Sequence, residues 1–420
     1  MVRDEKQEEI AELWLESDRC NTIIVGTGVG KARITMLILN RLYELNDLNS
    51  ESKILLLTNS ETLRDTNWKD DFAKWGLSWM WDKVTSECYQ TVYKWKDTQW
   101  DLVISDEIDF CFTDEYHKFF LNNQYSMLLG LTGFVDPSKD QLLNSIAPSI
   151  VEYSTQEAQE DGILNRTQLV LVEFDLSMNN SDITVKYKKE GKDKSFTQSE
   201  NDAYSYVEDS CNILYGKISR IESDPDVVFG LNDKKAKELK DLKYKYRKAI
   251  ADRKKLLYTG IASKAVAKTL QDKILQNPIS KVVCFSMLTD QSDSINNVTF
   301  HGKNSKGSTA LSDLSSGIVR SLGVCKAINR GVNISGLNNM IMESYDGSRT
   351  QFIQRHGRGT RLNPDQTMYL YIMLPYYHKK VASPENPGKK VYVRRPTQAV
   401  KWAESMMGEF KFNNPIRIKL

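Results

Sequence analysis

The turn Val25-Gly26-Thr27-Gly28-Val29-Gly30-Lys31-Ala32 constrains this chain more than any other segment. It follows a short apolar run, Asn21-Thr22-Ile23-Ile24-Val25, and precedes Ile34, Leu37, Ile38, Leu42 and Leu45 at helical spacing. A strand that ends in a glycine-rich turn and re-enters as a helix is the opening unit of a parallel α/β sheet. Glycines at 26, 28 and 30 let successive backbone N–H groups turn inward as an anion-binding nest, and Lys31 reaches outward from the first helical turn. The expected occupant is a triphosphate, ATP, held by Gly26, Thr27, Gly28, Val29, Gly30, Lys31 and Ala32. The bland alternative is a strand-to-helix turn kept for steric reasons. Ala32 stands where Ser or Thr would give a hydroxyl to Mg2+, so metal binding must rely on phosphates, water and an acidic residue elsewhere.

Trp100-Asp101-Leu102-Val103-Ile104-Ser105-Asp106-Glu107-Ile108-Asp109 supplies that acid. It reads as an apolar strand whose carboxyl end presents Asp106 to Mg2+ and Glu107 to the attacking water. Far downstream lies the basic segment Gln354-Arg355-His356-Gly357-Arg358-Gly359-Thr360-Arg361. Residues three and four apart on a helix share a face, so Gln354, Arg358 and Arg361 aim together while Arg355 points elsewhere. In isolation this segment reads equally well as a basic helix on a solvated surface.

In this order the motifs resemble those of the superfamily-two helicases and translocases, and the resemblance covers most of the chain. It implies an α/β fold of two RecA-like lobes with parallel sheets. Lobe one would span 1–165 and lobe two 166–375, with a helical and hairpin insertion at about 177–258; a short C-terminal accessory segment would span 376–420. It also implies an ATP hydrolase that drives a helicase or translocase by closing two lobes on a strand. Gln7 lies where such proteins read adenine. Thr58, Asn59 and Ser60 in the first lobe, and Ser286 and His301 in the second, match backbone-contacting positions. Thr132, in Leu128-Leu129-Gly130-Leu131-Thr132-Gly133-Phe134, matches the segment that couples hydrolysis to movement, with Gly133-Phe134 replacing the more usual Ala-Thr. Gly331 and Asn333 fall in the motif facing strand and nucleotide, Asn333 standing where Asp is frequent. Gln354 would orient the water, and Arg358 and Arg361 would act as arginine fingers. Gln7 and the Asp106-Glu107-Ile108-Asp109 variant favour DNA over RNA as partner. The compact chain is similar to stand-alone phage-type members. A weakly hydrolysing ATP-dependent switch and a motor subunit of a larger restriction or nuclease assembly stay open.

The rest of the chain fits this frame. Net charge is only +2, so any nucleic-acid surface must be local. The six cysteines form no CxxC pair and read as reduced core residues, and the four histidines form no metal-ligand cluster. No apolar stretch approaches the roughly 18 residues of a membrane span and no signal peptide is seen; the expected site is the cytoplasm, bacterial or phage-infected. Residues 183–197 read as a surface hairpin, and 201–221 as a helix. Residues 232–258 read as a long helix opened by an Asn/Asp cap, with eleven Lys and Arg side chains. That helix reads either as a strand-contacting element or as an amphipathic helix packed through Leu239, Leu242, Tyr246, Ile250, Arg253 and Leu257 with a solvated lysine face. Trp75, Trp79 and Trp81 read as base-stacking residues or as lobe surface. The tail reads as a strand guide or, preferably, as a clasp over one lobe.

Overall fold

The computed structural model describes residues 3–61, 63–113, 115–189, 192–228, 232–302, 307–325, 334, 336–344, 346–359, 366–386, 388–410 and 414–420. The chain divides into two units, one built on Met1–Thr167 and joined by Arg349–Met368, the other on Gln168–Ala327, Ile334–Ser348 and Tyr369–Leu420.

The first unit is built on β1 (Cys20–Val25), β2 (Ile54–Thr58), β3 (Val84–Cys88), β4 (Gln99–Asp106), β5 (Gln124–Thr132) and β6 (Ser149–Tyr153), all parallel in the order β3-β2-β4-β5-β1-β6. A parallel strand must be covered on both faces, so its sequence is a continuous apolar run. In β2 all five residues are buried; Ile54 and Leu56 enter the cluster under α1 (Arg3–Leu15) and α2 (Lys31–Glu44), while Leu55 and Leu57 enter the opposite cluster with Phe119 and Leu143. The period of two thus builds two cores from one strand, each buried Leu or Ile worth about 1.5–3 kcal/mol. α3 (Trp68–Lys74) follows β2 after a π-helical turn at Leu63–Asn67.

The second unit carries β7 (Thr167–Asp175), a separate antiparallel hairpin of β8 (Ile183–Lys189) and β9 (Lys192–Gln198), then β10 (Val282–Ser286), β11 (Thr299–Phe300), β12 (Ser321–Cys325), β13 (Asn339–Met342), β14 (Met368–Ala382), β15 (Lys390–Pro396) and β16 (Ile416–Lys419). The main sheet runs β11-β12-β10-β13-β14-β7-β16, with β15 antiparallel on β14. The tail is therefore part of this sheet. β16 pairs parallel with β7, and Arg394 and Arg417 bind Glu173 at 3.1 and 2.7 Å. This is the clasp, made by strand addition.

The long insertion is a pair of helices, α4 (Glu200–Glu222) and α5 (Asp233–Tyr258), packed on each other. Asn232 caps α5 by accepting from the Lys235 amide. Of the expected stripe only Leu242 and Leu257 are buried, Leu242 along the helix pair and Leu257 at its base in a cluster with Leu176, Tyr204, Tyr377 and Ala399. The base of the pair is held by directional polar contacts. Glu200, 2% exposed, accepts from the Ser177, Ile261 and Ala262 amides, so it caps α6 (Ile261–Ile274) from 61 residues away. Asn201 exchanges two hydrogen bonds with His378 of β14, Tyr204 Oη accepts from the Gln398 amide at the start of α7 (Gln398–Phe410), and Arg253 Nη1 meets Glu208 Oε2 at 2.8 Å.

Arg253→Ala removes the closest partner of the buried Glu208 carboxylate and leaves it only the longer contacts to Lys401 Nζ and Tyr204 Oη, both at 3.5 Å. The second unit should lose about 3–5 kcal/mol, read as a lower urea midpoint, whereas the double replacement Glu208→Gln/Arg253→Met should lie closer to wild type.

Candidate nucleotide site

The carboxyl ends of β4, β5 and β1 are adjacent, and each of the three chemistry-bearing loops leaves from one of them. A crevice at the strand ends of an open α/β sheet is where such folds bind ligands. After β1 the glycine turn runs with Gly28 at φ 103° and Gly30 at φ 114°, left-handed values that side-chain-bearing residues avoid. Gly30 also sits against Gln7: Gln7 Nε2 donates to the Val29 carbonyl at 2.6 Å, and Arg3 Nε does so at 3.1 Å. The α1 helix thus braces the turn from behind, with Gln7 only 1% exposed.

After β4 the chain turns at Glu107, which adopts φ 55°, ψ 58° and starts a 3-10 turn at Ile108–Cys111. A left-handed non-glycine residue costs of order 1 kcal/mol and marks a place where the surrounding structure dictates the backbone. Here the turn carries the Glu107 carboxylate to Lys31, Nζ to Oε1 3.0 Å, with both side chains 15% exposed. Asp106 stays nearly buried; its Oδ2 accepts from Trp68 Nε1 at 3.1 Å and its carbonyl accepts from Tyr89 Oη at 3.0 Å. Burial pushes the Tyr89 phenol well above its ordinary pKa, so it remains a donor. After β5 the Thr132 hydroxyl lies 2.8 Å from Asp109 Oδ1, 3.0 Å from the Phe134 carbonyl and 3.5 Å from Glu107 Oε2.

The helix α8 carrying Gln354 and Arg358 spans Arg349–Gly359 and groups with the first unit. A Cβ at Gly357 would overlap the Thr27 side chain, so this helix approaches the glycine turn as only glycine permits. Asn165 Nδ2 donates to the Gly359 carbonyl at 3.1 Å, and Thr167 Oγ1 lies 2.9 Å from His356 Nε2. The side chains of Gln354 and Arg358 lie outside what the structure describes, and Arg361, Gly331 and Asn333 lie outside the described residues altogether. Trp68, Tyr89 and Asp109 were missed by the sequence reading as members of this site. Only Asp109, in the acidic run, had a local signal.

The donors present fit a nucleotide with a divalent metal. The glycine cradle and Lys31 suit phosphate, and Asp106 supplies a carboxylate. Ala32 packs against the core, and the nearby Thr35 hydroxyl back-bonds to the Lys31 carbonyl at 3.0 Å, so it is turned away from the site. The residues expected to contact a polymer lie at other loops. Thr58 is fully buried with its hydroxyl 3.2 Å from the Ser60 carbonyl. Asn59 Oδ1 and His301 Nδ1 are buried with no hydrogen-bond partner among the described residues, while His301 Nε2 lies 2.8 Å from Asp293. Ser286 is fully buried at the end of β10. Trp75 carries the Arg33 guanidinium at 4.1 Å, Trp79 meets Tyr43 edge-on and Trp81 packs on Phe72. Among the described residues no group of three or more His, Cys, Asp or Glu is placed to hold a metal ion, and no helix is long and apolar enough to cross a membrane.

Residues 265–363 match the family described as the helicase conserved C-terminal domain. No curated protein matches the chain significantly. Among solved structures, the ATP-dependent Type ISP restriction-modification enzyme LlaBIII bound to DNA aligns with all of this chain at 12% identity and TM-score 0.58, the chain spanning 31% of that enzyme. A Vibrio vulnificus fragment assigned as an HsdR subunit of a type I restriction enzyme aligns with all of it at 14% identity and TM-score 0.53, with 68% of the fragment covered. Saccharomyces cerevisiae Dbp5 bound to RNA and ADP BeF3 aligns with 98% of it at 11% identity and TM-score 0.51, with 89% of Dbp5 covered. The chain has the fold of the superfamily-two helicases, with parallel sheets in two RecA-like units.

Burial pulls the His356 imidazole down to about 4 from its ordinary 6.5. The unfolded chain therefore takes up this proton first as pH falls, and stability is lost between about pH 6.5 and 4 at up to about 1.4 kcal/mol per unit. Urea midpoints at pH 7, 6 and 5 should fall more steeply in the wild type than in His356→Asn.

Proposed function

We propose that this protein is an ATP-hydrolysing motor that works on nucleic acid, DNA in preference to RNA. The observation that carries the reading is the convergence of the glycine cradle, the Lys31–Glu107 ion pair, Asp106 and Thr132 at three adjacent strand ends. Gly26, Thr27, Gly28, Val29 and Gly30 cradle phosphate, and Gln7 reads the base. Lys31 exchanges its Glu107 partner for phosphate oxygens, which releases the carboxylate to take a proton from water. Asp106 would hold Mg2+, which when bound would supply positive charge to the phosphoryl group. Gln354, Arg358 and Arg361 complete the set as water-orienting residue and arginine fingers, and Gly331 and Asn333 face the nucleotide. Thr132, shared between the Glu107 and Asp109 turn and the Phe134 carbonyl, relays the state of the site to movement of the two units. The buried polar atoms of Asn59 and His301 that have no partner among the described residues support a polymer role, since such atoms are uncommon and call for a ligand or another explanation. LlaBIII is bound to DNA and Dbp5 to RNA, so DNA rests on the Gln7 and Asp106-Glu107-Ile108-Asp109 pattern. The likeness to LlaBIII and to the HsdR fragment favours one second reading, a motor that serves a restriction assembly.

The deciding experiment is steady-state ATP hydrolysis with no polymer, single-stranded, duplex or branched DNA, and RNA. DNA should stimulate the wild type, and Glu107→Gln should retain ATP binding while turnover falls about 10²–10⁴-fold. Stimulation by RNA alone would overturn the DNA preference. Hydrolysis that stays silent with every polymer would point to the partner-dependent subunit or the switch.

The solvated face of α5 presents Lys237, Lys240, Tyr244 and Arg247 at helical spacing, with Tyr244 71% exposed. We take it as an auxiliary phosphate-contacting face. Reversing the three charges to Glu should raise the DNA concentration for half-maximal stimulation at least about tenfold, leave basal turnover unchanged and reduce the slope of log K against log salt by about 2–3.

A further inference from the structure

Trp68 does something that a core tryptophan need not do. It is 4% exposed, and its indole N–H donates to the carboxylate of Asp106 at 3.1 Å. A hydrogen bond to an ionised acceptor is roughly twice as strong as a neutral one and directional. Tyr89 fixes the backbone of the same residue through the Asp106 carbonyl, so the end of β4 is already placed without Trp68. What Trp68 adds is the orientation of the carboxylate itself.

The local chain explains how the indole reaches this position. Between Ser60 and Trp68 the backbone winds as a π-helical turn, Leu63–Asn67, and passes into α3 at Trp68. One residue more or less in a helical winding swings everything that follows by about 100°, so the wide turn decides that Trp68 faces inward. Such turns are rare and concentrate at functional positions. The Arg64 amide bonds back to the Ser60 carbonyl at 3.1 Å, which joins the turn to the loop of Thr58, Asn59 and Ser60. The buried, unpartnered Asn59 Oδ1 lies in that loop. Ala32 raises the stakes at the other end, because with no hydroxyl at that position Asp106 is the side chain on which metal binding depends.

We infer that Trp68 is a positioning residue that transmits the seating of a nucleic-acid strand on the Asn59–Ser60 loop to the metal-holding carboxylate of Asp106. This rests on the nucleotide and polymer roles proposed above. Displacement of the loop by a strand moves the turn, the turn moves the indole N–H, and the N–H sets the attitude of the carboxylate. ATP turnover is thereby tied to the presence of a track through one hydrogen bond inside the first unit.

The test uses the full chain with Trp68→Phe, which keeps an apolar ring and removes the donor. A second form, with benzothienylalanine at position 68, keeps the bicyclic shape and replaces N–H by sulfur, so it reports on the hydrogen bond even if the Phe variant folds poorly. Mn2+ binding in the presence of a non-hydrolysable ATP analogue is read by paramagnetic resonance, with and without single-stranded DNA. Wild type should bind Mn2+ with an affinity that changes on adding DNA; both replacements should weaken binding about tenfold and lose most of the DNA response, at an unchanged thermal midpoint for the benzothienyl form. Wild-type emission minus that of Trp68→Phe should shift when DNA is added. Replacements that match the wild type in Mn2+ affinity and in DNA response would overturn the role of Trp68 while the nucleotide site stands. A wild type that binds no Mn2+ with the analogue would overturn the nucleotide reading itself and the role of Trp68 with it.

Discussion

The Lys31–Glu107 ion pair joins loops that leave strands which are not neighbours. β5 lies between β1 and β4, so the two side chains meet over its end across about two strand spacings, roughly 10 Å. Three features of the sequence serve that span. Glu107 takes a left-handed backbone that throws its carboxylate sideways. Lys31 opens α2 directly after Gly30, whose own left-handed conformation starts the helix. Gly133, at the end of β5 beneath the pair, keeps the space clear: a Cβ there would come within 3.3 Å of Thr27 Oγ1 and 3.6 Å of Lys31 Nζ. The contact to Lys31 Nζ is an ordinary one, and only Thr27 would have to give, by a few tenths of an ångström, if Ala stood here.

The parts of the fold written in short stretches of sequence were legible. The strand, turn and helix of residues 21–45 and the apolar strand ending in Asp106-Glu107 carry their signals within a few residues, and the two parallel sheets follow from them. The hairpin read at 183–197 and the helices read at 201–221 and 232–258 were also legible, since turn residues and an Asn cap at 232 are local signals. What could not be read are the contacts made across long separations. The Glu200 carboxylate caps a helix that begins 61 residues later, and β16 joins β7 across more than 240 residues. Trp68 and Asp106 lie 38 residues apart with no shared pattern between them. The basic segment 354–361 carried its charge in plain view, but nothing in it announced that Gly357 would pack on Thr27.

Buried carboxylates are held in two ways. In the first unit, the nearly buried Asp106 and Asp109 accept from neutral donors, the Trp68 indole N–H and the Thr132 hydroxyl. Such contacts hold a carboxylate in place yet let it exchange partners, which suits groups that must act on a ligand. In the second unit Glu343 likewise accepts from the Ser263 and Ser344 hydroxyls at 2.6 Å, whereas the buried Glu200 is locked by three backbone amides and Glu208 is paired with Arg253, so these two groups cannot be redirected without loss of fold.

That second arrangement needs a reason, because a buried ion pair is a poor way to gain stability; apolar residues of similar volume would serve as well or better. What directional contacts give is orientation. The adjacent Glu200 and Asn201, then Tyr204 and Glu208 at roughly one-turn steps, lie along the first half of α4, and their partners lie on α6, β14, α7 and α5. An apolar seam would let the helix pair slide along or rotate about its base. Four polar contacts with different directions leave it one attitude relative to the sheet of the second unit. The basic face of α5 is therefore held at a set angle to the strand β14.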